Sequence, residues 1–80
     1  MPTIELYGTA SCPYTKEVRE WLEWHGREFI EFDVEADAEA CARMFAATGQ
    51  RTVPVLLEDE RVTHIGWQGR GCIVAGGPQK

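Results

Sequence analysis

Eighty residues, 44% hydrophobic and 26% charged, describe one compact domain spanning 1–80 and exclude disordered, collagen-like and low-complexity classes. No apolar run approaches the ~18 residues of a membrane span. The net charge of −5 disfavours nucleic acid, which needs a basic footprint. Met1-Pro2-Thr3-Ile4-Glu5 lacks the basic-then-apolar pattern of a secretory leader, so a cytoplasmic location is expected. All 13 acids fall within residues 1–60, whereas residues 61–80 hold Arg61, Arg70 and Lys80 and no acid. Such a basic tail can receive a small anion, although a chance distribution on solvated faces is the simpler reading.

Residues 3–7 alternate, with Ile4 and Leu6 on one face, and predict a strand. After the loop Gly8-Thr9-Ala10-Ser11, Val18, Trp21, Leu22 and His25 recur at helical spacing. Pro13 suits the first helical position, where its missing N–H costs nothing, and Gly26 ends the helix. Residues 29–34 alternate again, with Ile30, Phe32 and Val34 on one side, as a second strand. Glu35, Asp37 and Glu39 suit the positive end of a second helix, which carries Cys41, Met44, Phe45 and Thr48 and stops at Gly49. The apolar run 53–57 is a third strand, turned by Glu58-Asp59-Glu60-Arg61 into a fourth at 62–65, most simply a hairpin. The predicted fold is α/β, in the order β-α-β-α-β-β.

Three widely spaced cysteines, Cys12, Cys41 and Cys72, form neither a disulfide scaffold nor a zinc site, and no metal ligand set is assigned. Cys41 lies on the apolar stripe with Met44 and Phe45 and reads as core. Cys12 is different. It stands just before the proline that opens a helix, where unpaired N–H groups and the helix dipole favour a thiolate. Cysteine pKa falls from about 8.5 toward ~3.5–7.5 in such settings, and the thiolate is the nucleophile of disulfide exchange. Lys16 and Arg19 add positive charge if they point back to the sulfur. With no histidine base nearby, a papain-like hydrolase is disfavoured.

Cys12-Pro13-Tyr14-Thr15 after a short strand, followed by Thr52-Val53-Pro54 before the third strand, resembles the glutaredoxin family of the thioredoxin-fold superfamily. The resemblance spans roughly residues 3–66. It implies a four-stranded mixed sheet in the order 2-1-3-4, a cis Pro54 against the reactive sulfur, and a C-terminal helix that is here short or absent. It also implies thiol–disulfide exchange by Cys12 on glutathione mixed disulfides or protein disulfides, with glutathione as cosubstrate and no bound cofactor. Pro13, Tyr14, Thr15, Arg51, Thr52, Val53, Pro54, Gly66 and Trp67 are the implied substrate-binding residues.

The chain departs from the family pattern in three ways. Thr15 replaces the second cysteine of Cys-Pro-Tyr-Cys, which implies a cycle with Cys12 alone. Thr9 replaces a lysine, and Gly66-Trp67-Gln68-Gly69-Arg70 replaces a Gly-Gly-x-Asp-like stretch, so weaker glutathione binding is expected. Trp67-Gln68-Gly69 is similar to the Trp-Ser-Gly of glutaredoxin-like electron donors served by a thioredoxin-reductase-like reductant. Pro-Tyr-Thr is similar to a bacterial glutaredoxin-like group that includes selenoproteins. Cys72, on a glycine-rich stretch, is the candidate resolving thiol of a two-cysteine cycle; the expectation is the one-cysteine cycle. Rival readings are a [2Fe–2S] carrier using Cys12 and glutathione, and a binding module without turnover. A monomer or weak homodimer is expected, with a tail strand or second copy covering the exposed sheet face.

Overall fold

The computed structural model describes residues 3–74. In chain order the elements are β1 (Ile4–Gly8), α1 (Pro13–Trp24), β2 (Ile30–Asp33), α2 (Ala38–Thr48), β3 (Thr52–Val53), β4 (Val55–Glu58), β5 (Arg61–Ile65) and β6 (Cys72–Ile73). One four-stranded sheet runs β2-β1-β4-β5, and a two-stranded sheet joins β3 to β6. β1 and β2 are parallel, as strands joined through a crossover helix must be, and the remaining pairs are antiparallel.

Alternation along β1 distributes the core between the two sheet faces. Ile4 and Leu6 pack with Val18 and Leu22 of α1 and with Leu56. Tyr7 lies in the other cluster, with Ala40, Cys41 and Met44 of α2 and with Val34, Val53, Val55 and Leu57. Burying a side chain such as Leu22 contributes about 1.5–3 kcal/mol, so each helix is held chiefly by its apolar stripe.

The helix ends follow their predicted chemistry. Pro13 opens α1, and Gly26 follows its end at φ 67°. Asp37 caps α2, its Oδ1 accepting from the N–H groups of Glu39 (3.1 Å) and Ala40 (3.2 Å). Gly49, at φ 71°, ends α2 and donates its N–H to the Phe45 carbonyl. His25, expected on the inner face of α1, is instead exposed at its end, against the Trp21 ring. Trp24 is exposed, and Cys41 is buried, as its place on the apolar stripe predicts.

The expected single strand 53–57 is two strands. Pro54 has no N–H and cannot continue a ladder. Residues before it therefore pair with β6, and residues after it pair with β1 and β5. The hairpin between β4 and β5 turns on Asp59 (φ 52°) and Glu60 (φ 67°), the twist that two-residue hairpins prefer. A second such turn, Gln68 (φ 53°) and Gly69 (φ 79°), reverses the chain between Trp67 and Arg70, which exchange backbone hydrogen bonds of 2.6 and 2.9 Å. That reversal lays β6 antiparallel to β3. The tail is thus a strand as far as it is described, and the question of a C-terminal helix falls on residues 75–80, outside the described residues.

Candidate active site

Cys12 occupies the cap position of α1, where the loop from β1 ends and Pro13 fixes the first helical φ. The site forms there because the N–H groups of Thr15 and Lys16 turn onto the Cys12 carbonyl, at 3.1 and 3.4 Å. Its sulfur is joined to Cys72 in a disulfide, with the Cα atoms 6.1 Å apart across a sequence separation of 60. The sequence expectation is a one-cysteine cycle, with Cys72 as the candidate resolving thiol. The Gln68-Gly69 turn brings that distant cysteine to the helix start, where Thr15 stands in place of the usual second one.

The tail is placed by register. Cys72 stands opposite Val53 and Ile73 opposite Thr52, and the Val74 N–H donates to the Arg51 carbonyl at 2.8 Å. The Val53–Pro54 bond is cis, as the family resemblance implies, and the Val53 carbonyl oxygen lies 4.0 Å from the Cys12 sulfur. Pro54 accepts from the Gly66 N–H at 2.7 Å, which ties the end of β5 to the same corner. Gly71 has no room for a side chain: a Cβ there would stand 2.7 Å from the Val53 carbonyl oxygen and 2.8 Å from Thr52 Cγ2. Gly71 is the residue that sequence reasoning missed. Its only signal was one glycine among several.

Cys12 and Val74 are each 2% exposed and belong to the α2-side core cluster, against which Cys72 and Tyr14 pack from outside. Pro13, next to Cys12 in the chain, is exposed, and Tyr14 is half-buried. Thr15 is fully buried and its Oγ1 accepts from the Thr9 N–H at 3.4 Å, filling the space that a side chain on Gly8 would need. Thr15 therefore supports the loop from below and is withdrawn from any substrate surface. Thr52, Val53 and Pro54 meet the site through their backbone. Gly66 is buried behind it, and Trp67 packs on Trp21 and His64 at ring distances of 5.5 and 5.8 Å. Arg51 lies over the Phe45 ring at 5.0 Å and is exposed.

Neither expected cation serves the sulfur. Lys16 reaches Glu20 at 4.0 Å, and Arg19 forms a two-pronged pair with Glu31, both contacts at 2.8 Å. Positive potential at Cys12 comes from the start of α1 itself. On the same α2 side of the sheet, burial raises the Tyr7 hydroxyl above its ordinary ionisation range of about 10. Arg43 donates to that hydroxyl at 3.4 Å and opposes the shift, while Glu5, which accepts from it at 2.8 Å, reinforces it. Among the described residues no group of three or more His, Cys, Asp or Glu side chains is placed to hold a metal. No helix among them is long and apolar enough to cross a membrane.

A family model described as glutaredoxin matches residues 4–62. A glutaredoxin of Pseudomonas aeruginosa is 33% identical over 72 residues, covering 90% of this chain and 79% of that one. A probable glutaredoxin of Synechocystis is 34% identical over 59 residues, covering 72% of this chain. The match spans only about half of that relative's length, 54%. Among solved structures, a thioredoxin-like protein superposes with a TM-score of 0.75 at 32% identity, covering 81% of this chain and 88% of that one. With a four-stranded mixed sheet and a cysteine opening its first helix, the chain belongs to the glutaredoxin family of thiol–disulfide oxidoreductases.

Proposed function

We propose that the protein reduces disulfides by a two-cysteine cycle, with Cys12 as nucleophile and Cys72 as resolving thiol. The observation that carries this reading is the Cys12–Cys72 pairing at the start of α1. In the reduced protein the Cys12 thiolate attacks one sulfur of a substrate disulfide, and the other substrate sulfur leaves as a thiolate. Cys72 then attacks the Cys12 sulfur, expels the substrate as a thiol and restores the intramolecular disulfide. Two electrons pass to the substrate, and the work is done on protein sulfur without a bound cofactor. Cluster carriage is the weaker reading, because it requires a free Cys12 facing a second protomer.

Glutathione serves in this scheme as a cosubstrate that binds poorly. Thr9 and Gly66-Trp67-Gln68-Gly69-Arg70 lack the charged partners its ends would use, and β6 lies along the Val53 backbone that would hold its middle. The test is Cys72→Ser with a protein or glutathione disulfide as substrate. A mixed disulfide on Cys12 should accumulate and turnover should become dependent on added thiol. Unchanged turnover in Cys72→Ser would return the protein to a one-cysteine cycle.

A further inference from the structure

The two sulfurs of the Cys12–Cys72 disulfide are not equivalent targets for an incoming reductant. A thiolate attacks a disulfide sulfur from the side opposite the bond that breaks. Cys12 is 2% exposed, belongs to the α2-side core cluster and has the Val53 carbonyl oxygen 4.0 Å from its sulfur, which leaves little room for an incoming thiolate. Cys72 is only partly buried, on a two-residue strand between exposed Gly71 and 74%-exposed Ile73. Leaving-group chemistry points the same way. Cys12 leaves as a thiolate at the positive dipole end of α1, whereas Cys72 leaves from a short strand with no such dipole.

From these observations, and resting on the two-cysteine reading above, we infer that the reductant attacks Cys72. Its thiolate bonds to the Cys72 sulfur, the Cys12–Cys72 bond breaks, and Cys12 leaves with the electron pair as a thiolate. A second reductant thiolate then attacks the first reductant's sulfur. This yields the oxidised reductant and a Cys72 thiolate, which takes a proton from water. Electrons therefore enter at Cys72 and leave at Cys12, so the resolving thiol of one half-cycle is the electrophile of the other. The adduct also loosens the tail, because β6 is held to β3 by two residue pairs and one flanking hydrogen bond once the disulfide is open.

The order is read by partial reduction of the oxidised full-length protein with glutathione as probe. The mixture is quenched with excess iodoacetamide within the first turnover and its peptides are mapped. The expected product carries glutathione on Cys72 and the alkyl group on Cys12, in at least about tenfold excess over the reverse pattern. Glutathione found chiefly on Cys12, or equally on both, overturns the proposal while leaving the two-cysteine cycle intact. Failure to find a Cys12–Cys72 peptide pair before glutathione is added sinks the two-cysteine cycle itself.

Discussion

Two antiparallel pairings in this molecule turn on similar backbone and are supported in opposite ways. β4–β5 reverses on Asp59-Glu60, and the tail reverses onto β3 through Gln68-Gly69; all four residues are left-handed. The first pairing extends a four-stranded sheet, and Val55, Leu56 and Leu57 beneath it are buried in both cores. The second is two residue pairs long and ends at Val74, its anchor in the core. A two-stranded ribbon alone is marginal in water. One pairing is therefore architecture. The other is two residue pairs and one buried side chain, to which a sulfur–sulfur bond is added.

The largest effect that separates them is loss of the disulfide. Closing a loop of 60 residues by a cross-link restricts the unfolded chain by about 4 kcal/mol. Cys72→Ser should lose most of that in urea unfolding, while the amides of β4 keep the greatest protection from hydrogen exchange. A loss below ~1 kcal/mol would mean that the tail is held chiefly by packing.

Gly71→Ala should come next. Its Cβ meets the Val53 backbone, and overpacking of this kind costs about 1–3 kcal/mol. The cost should appear in the oxidised protein and nearly vanish in the reduced one, read as a shift of the disulfide equilibrium against glutathione. Equal destabilisation of both forms would show that β6 stays docked without its bond.

Glu60→Gly addresses the other turn. A left-handed non-glycine residue costs roughly 1–2 kcal/mol, partly returned by glycine's greater freedom in the unfolded chain. A gain of about 1 kcal/mol is expected, equal in both redox states. A gain confined to one state would couple the two pairings.

The smallest effect reads the sheet body through pH. Burial raises the Tyr7 pKa, so its contribution is full below the unfolded value of about 10 and is lost as pH rises through the higher folded value. Tyr7→Phe should flatten the alkaline decline in stability, and an unchanged slope would assign that decline to other groups.

Much of the architecture was legible because its signals are local. The stripe Val18, Trp21 and Leu22, the cap at Asp37 and the stops at Gly26 and Gly49 each act within a turn or two. Cys12-Pro13 located the candidate site for the same reason. The partner of Cys12 was harder, because its position depends on a register across a sequence separation of 60 and on one glycine whose spacing to Val53 no periodicity records. Thr15 misled in a related way. Its place in the motif suggested substrate contact, whereas the close approach of Gly8 turns its side chain inward. Lys16 and Arg19 had nearer acids to meet than the sulfur.

Cys41 sits 1% exposed beneath α2 and is the free thiol among the described residues. Alkylation there requires the α2 face to part from the sheet, an opening near the global end of the stability range. In the reduced protein, movement of the tail is expected to expose Cys12. The chain therefore carries two clocks of the same chemistry set to different events. One alkylation time course, resolved by residue, can time the tail by Cys12 and the body by Cys41, with no label added from outside.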